Sequence, residues 1–182
     1  MKNKCFLTGC IILIFLIIGG CHYETEIFVY NVEIPGSTYQ YEDGFVYFPF
    51  SVIEHEDNPS VDLEYWIDDV RNFGFQLWVS NSGDSASGFS LYFSQYKDTM
   101  DFSDADMVRR NALEVFRGAV IQPGSSKYFD WQASLPYTLN RDKAYLLLKD
   151  VDLMCYYVPD NAEVQLDSIT IIVTTYTKHY SQ

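Results

Sequence analysis

Residues Phe73–Tyr96 read FGFQLWVSNSGDSASGFSLYFSQY, and this stretch decides the fold class. Phe73, Phe75, Leu77 and Val79 alternate with Gly74, Gln76, Trp78 and Ser80. Phe89, Leu91 and Phe93 alternate in the same way with Ser90, Tyr92 and Ser94. A period of two places each apolar set on one face of an extended strand. The residues between, Asn81–Gly88, are all Asn, Ser, Gly, Asp or Ala, the residue types of a loop. Two half-buried strands joined by such a loop predict a β-hairpin.

The pattern extends outward in both directions. Downstream, Leu113–Ile121 and Ser126–Ser134 flank Pro123-Gly124, which suits a type II turn in a second hairpin. Leu153–Val158 and Ala162–Leu166 read as strands, and Ser168–Lys178 is β-branched enough to be a central one. Upstream, Thr25–Ile34 alternates, with Phe28, Tyr30, Val32 and Ile34 on one side. Pro35-Gly36 and Asp43-Gly44 carry turn chemistry. Phe45–Ile53 is a further strand, pushed toward an edge by Pro49, which has no amide proton to donate to a ladder.

Helical spacing occurs in three places. Leu63, Trp66, Ile67 and Val70 fall at i, i+3, i+4 and i+7. Ser103 and Asp106 in Asp101–Arg110 resemble a capping box with Asp in place of Glu. Asn140 precedes Ala144, Leu147, Leu148 and Val151, again one helical face. Eight to ten strands with one to three short helices predict a mainly β protein. The expected architecture is an antiparallel β-sandwich, immunoglobulin-like in the loose sense, with a small lipocalin-like barrel as the alternative. One such domain spans residues 25–182, with no internal repeat or second domain legible.

The first residues have a different character. Lys2 and Lys4 precede an almost unbroken apolar run from Cys5 to Ile18, then Gly19, Gly20 and Cys21. A charged start, a hydrophobic segment and small residues at its end form an export signal, and the run is too short to span a membrane. An aliphatic residue, two small residues and a cysteine together resemble the lipobox of bacterial lipoproteins. The resemblance covers residues 1–21 only. It implies that residues 1–20 are a cleaved signal peptide and that Cys21 carries the lipid. Residues 21–24 would then be a short tether, and the domain would lie outside the cytoplasm, anchored to a membrane of the bacterial envelope. That membrane would be the outer one if the host has one.

Without residues 1–20 the chain carries 10 basic and 25 acidic residues, a formal charge of −15 with neutral histidines. Such a surface repels phosphate backbones, so nucleic acid is excluded as a partner. It equally disfavours adsorption to anionic lipid head groups, which leaves the anchoring to the lipid. Cys5 and Cys10 would leave with the signal peptide and Cys21 would be lipidated, so Cys155 has no partner for a disulfide. Stability must then come from an apolar core, for which 13 Phe, 15 Tyr and 3 Trp supply material.

No spacing points to catalysis, to a cofactor or to a metal. His22, His55 and His179 are scattered, and there is no HxxxH or CxxC. Glu54-His55-Glu56-Asp57 reads as a solvated loop. Asp101, Asp104 and Asp106 lack the register and central glycine of a calcium loop. The serines of Asn81–Gly88 contain no G-x-S-x-G. The chain is therefore expected not to be an enzyme. The aromatic side chains opposite the apolar stripes carry the functional expectation, above all Trp78, Tyr92 and Trp131. Such rings line protein interfaces and can stack on sugars. Two readings follow: an envelope binding or scaffolding module acting through protein contacts, or a carbohydrate-binding module with an aromatic platform. They differ in whether Trp78 and Tyr92 share one exposed plane.

Overall fold

A computed structural model describes residues 22–32, 44–50, 66–95, 102–150 and 153–179. Residues 1–21, with the expected signal peptide and Cys21, lie outside them, as do the turn expected at Pro35-Gly36 and the loop expected at Glu54–Ser60. Among the described residues eight strands form two antiparallel sheets. The first sheet contains β1 (His22–Val32), β3 (Trp66–Asn81), β6 (Ser125–Phe129) and β8 (Val164–His179) in the order β1-β8-β3-β6. The second contains β2 (Val46–Phe50), β4 (Phe89–Gln95), β5 (Leu113–Arg117) and β7 (Leu153–Pro159) in the order β2-β7-β4-β5. Among the described strands the two sheets remain open at their edges, so the protein is a sandwich and not a closed barrel.

The alternation read from the sequence sets the core. Phe73, Phe75, Leu77 and Val79 of β3 are fully buried and face Phe89, Leu91 and Phe93 of β4 across the sandwich. The Phe75 ring lies 6.1 Å from Phe93 and 5.4 Å from Phe116, and Phe89 lies 6.0 Å from Phe129. Phe129 closes this end of the core beneath the Lys127 ammonium, 4.6 Å above its ring. Cys155, in β7, is fully buried among these residues. Burial raises its thiol pKa well above the ordinary range, because the thiolate would lose its water.

Pairing differs from the expectation. β3 and β4 are not a hairpin: they belong to opposite sheets, and Asn81–Gly88 carries the chain across between them. The Pro123-Gly124 turn is present, with Ser125 N–H donating to the Gln122 carbonyl at 3.2 Å and Gly124 at φ +62°. It too joins strands of different sheets, β5 and β6, rather than closing a hairpin. Of the links between consecutive described strands, only β4–β5 stays within one sheet. The physical reason is common to both cases. Alternation states which face of a strand is buried, and two strands burying apolar faces satisfy it equally well by lying side by side or face to face.

The helix expected from Leu63, Trp66, Ile67 and Val70 is also replaced: Trp66–Val70 is the start of β3. Register shifts at Ile67/Asp69 and Val70/Asn72 show extra residues in β3 relative to β8. A bulge breaks the period of two and turns it locally into a period of three, which imitates helical spacing. Val70 and Phe73, three apart, are both buried for this reason. Ala162–Leu166 and Ser168–Lys178 merge into the single long strand β8, bulged at the same level as Trp78/Val79. β8 lies between β1 and β3, as its β-branched composition predicts. Pro49 lies in β2, an edge strand.

Helix α1 (Ala105–Asn111) is capped by Asp104, whose Oδ1 accepts from the Met107 N–H at 2.8 Å, one residue after the serine expected to cap it. A second short helix, α2 (Trp131–Ser134), is capped by Asp130 and runs into a 3-10 turn over Leu135–Tyr137. Helix α3 (Arg141–Asp150) buries Ala144 and Leu148 in the main core. Asn140 precedes it at φ +50°; its side-chain amide donates to the Glu114 carbonyl at 2.9 Å, and its backbone carbonyl accepts from the Ala144 N–H at 3.0 Å. No helix among the described residues is long and apolar enough to cross a membrane.

Candidate functional site

The two outer faces of the sandwich have opposite characters. On the second sheet, Tyr92, Met154, Tyr156 and Val158 point away from the main core and meet Val108 of α1 and Phe45, with Phe102 alongside. Phe102 packs edge-on against Tyr156 at 5.2 Å. This face is thus a second apolar layer beneath a helix. Tyr92 is only 6% exposed. Its phenol pKa is raised by burial and by the neighbouring Glu114 carboxylate. Beside it Glu114 accepts from Ser90 Oγ at 2.9 Å and receives both arms of the Arg117 guanidinium, at 2.9 and 2.7 Å. That cluster ties β4 to β5. No imidazole is present there among the described residues, and the serine hydroxyl is spent as a donor to the carboxylate.

Around Trp78 and Tyr128 the outer face of the first sheet is open to solvent. Trp78 and Tyr128 stand directly opposite one another in the β3–β6 register, 45% and 49% exposed. Their ring centroids are 5.6 Å apart, tilted by 35°. Cross-strand aromatic pairs of this kind hold each other's rotamers and so present a fixed surface. Their neighbours in register are small and polar: Ser168 opposite Trp78, Thr170 opposite Gln76, and Ser126 opposite Ser80. Ser80 Oγ donates to Asp167 Oδ1 at 3.1 Å at the margin of this face.

Trp131 lies further along the same face. β6 stops after Phe129, and α2 takes over the vacated edge of β3, where the Phe75 N–H donates to Ser134 Oγ at 3.1 Å. The Trp131 ring then lies over Gly74, so close that a Cβ on Gly74 would come to 2.8 Å of its Cζ3. Glycine at this position is therefore a requirement of close approach. Gly74 and Trp78 are four residues apart on one strand, ~13 Å, with Gln76 between them.

Of the three aromatic residues singled out in the sequence, Trp78 and Trp131 share a face and Tyr92 lies on the covered face of the other sheet. The exposed plane of Trp78 and Tyr92 therefore does not form. Tyr128 takes the place expected of Tyr92. Its signal was present in Ser125–Phe129, where Phe129 is the inward residue and Tyr128 must point outward, but only the β3–β6 register brings it to Trp78. Asp104 is committed to capping and Asp106 to an ion pair with Arg109 at 3.1 Å. Among the described residues no three His, Cys, Asp or Glu side chains converge as metal ligands. His22 and His179 are register partners at the far end of β1 and β8. No family model and no curated protein matches the chain.

Proposed function

We propose that the protein is a lipid-anchored binding module of the bacterial envelope, held by a lipid on Cys21 and acting through protein contacts. The observation that carries the binding part is the Trp78–Tyr128 pair. Most large aromatic side chains of the described core are packed, whereas these two are half exposed and adjacent, with ring centroids 5.6 Å apart. Trp and Tyr at the centre of a surface are the residues that dominate protein–protein contacts, because they bury much area while freezing few rotors. The anchoring part rests on the Ile18-Gly19-Gly20-Cys21 sequence and its resemblance to a lipobox. Replacing Cys21 by Ser is expected to release the protein from membranes and abolish incorporation of labelled lipid. Full retention in that variant would refute the anchor.

A second reading, a carbohydrate-binding module, is favoured by one observation. Trp131 lies along the same face as the pair, and Gln76, Ser168 and Ser126 supply hydrogen-bonding groups around the rings. The two readings separate in one experiment. A photoreactive residue at position 168, beside Trp78, cross-links to a discrete protein in intact cells if the partner is a protein. Retardation in gels containing envelope polysaccharide, without such a cross-link, would favour the sugar.

A further inference from the structure

The aromatic pair and the start of β1 lie toward opposite ends of the first sheet, and the register gives their separation. His22 pairs with His179, and Trp78 pairs with Ser168, both on β8. Eleven residues of β8 separate the two levels, which at ~3.3 Å per residue is ~36 Å. The two sheets are also unequal in length. β3 and β8 have 16 residues each, while the described strands of the second sheet have 5 to 7. Extended strands of those lengths measure ~53 Å and at most ~23 Å. The contacts of Phe73 and Phe75 with Phe93, and of Phe89 with Phe129, set the second sheet against the half of β3 that carries Trp78. At the other end Trp66–Val70 pairs with residues 175–178 of β8, which pair in turn with residues 23–26 of β1.

We propose that this three-stranded end of the first sheet is a rigid stalk. It would hold the Trp78–Tyr128 surface about 30–36 Å above the bilayer, so that the module meets its partner at that height rather than among the lipid head groups. The inference rests on the lipid anchor at Cys21 proposed above. β1 begins at His22, so residues 22–24 of the short tether expected at 21–24 belong to the sheet. A free coil of eleven residues would average only ~18 Å between its ends and fluctuate widely, whereas three hydrogen-bonded strands keep their length. The charge of −15 on the chain after Gly20 opposes a flat arrangement against an anionic leaflet and favours upright strands.

The test uses the full lipidated protein in phosphatidylglycerol-containing vesicles that carry a fluorescent acceptor at the head groups. Two variants each supply one labelled thiol, Ser168→Cys beside the aromatic pair and His179→Cys at the foot, and buried Cys155 stays unlabelled. The stalk predicts a donor at 168 about 30–36 Å from the acceptor plane and a donor at 179 within ~10 Å of it. Both donors close to the plane would mean that the sheet lies flat, and both distant would mean a loose tether. Either result overturns the stalk while leaving the anchor intact. Loss of the unsubstituted protein from the vesicles would instead overturn the anchor, and the stalk with it.

Discussion

Asn81 is where the chain leaves one sheet for the other, and its replacement is the most informative single perturbation of the fold. The side chain is buried. Its Nδ2 donates to the Ser85 carbonyl at 2.9 Å and to the Ile121 carbonyl at 3.0 Å, and its Oδ1 accepts from the Gly83 N–H at 2.9 Å. One residue thus fixes the outgoing loop and ties it to the segment that Ser87 pairs with, through mutual bonds to Ile121 at 3.1 and 2.8 Å. Asn81→Ala removes three hydrogen bonds, each with a net value of ~1 kcal/mol. The Ile121 carbonyl keeps its bond from Ser87, but the Ser85 carbonyl and the Gly83 N–H lose theirs. The expected cost is ~2–4 kcal/mol. With an unfolding slope of ~2 kcal/mol per molar urea, the midpoint falls by ~1–2 M. Asn81→Asp keeps the shape and the acceptor but turns a second oxygen toward two carbonyls, so it should cost at least as much as Ala. An alanine cost below ~0.5 kcal/mol, or an aspartate milder than alanine, would show that the crossing loop is not held as described.

Three further outcomes are expected. Leu77→Ala should cost ~2–5 kcal/mol in the same urea assay, as truncation between two packed sheets does, while Gln76→Ala on the outer face should stay within ~0.5 kcal/mol. Gly74→Ala should cost ~1–3 kcal/mol by pushing the Trp131 ring off β3, and Trp131→Ala in the same chain should recover part of that loss and so show which ring is displaced. Cys155 should resist thiol reagents in the folded protein and react at once in urea. Because burial raises its pKa, it stays protonated in the fold while the unfolded chain ionises above roughly pH 8.5. Its contribution to stability is therefore complete below that pH and declines as pH rises above it, and Cys155→Ala should flatten that decline.

The residues that line the core were legible in the sequence, and their partners were not. Phe73, Phe75, Leu77 and Val79 could be assigned to one buried face because alternation is a local property of the chain. Which strand lies beside β3 depends on where a seven-residue loop lands, and that is fixed by Asn81 and Ile121, forty residues apart. The same limit explains the missed helix, since the bulges that give Val70 and Phe73 their spacing exist only relative to β8.

The site was legible to a similar extent. Trp78 was correctly placed on an outward face because its own strand decides that. Tyr92 satisfies the same alternation on β4 and yet is buried, because α1 and Phe102 cover that sheet. Nothing local to Phe89–Tyr96 reveals the cover. Tyr128 shows the converse: its partner Trp78 is fifty residues away, and only the register of a five-residue strand joins them.

The central claim is that the Trp78–Tyr128 surface is where the partner binds, and cross-linking from position 168 in cells tests it most directly. The comparison is between the otherwise unsubstituted chain and the double variant Trp78→Ala, Tyr128→Ala, with membrane retention and urea midpoint measured in parallel. Loss of two central aromatic side chains should cost at least ~2 kcal/mol of binding, about thirtyfold in affinity. Both side chains are half exposed, so the urea midpoint should move by less than that of Leu77→Ala. The account predicts that the cross-linked species disappears while anchoring and folding persist. An undiminished cross-link to the same protein in the folded, anchored double variant would contradict it.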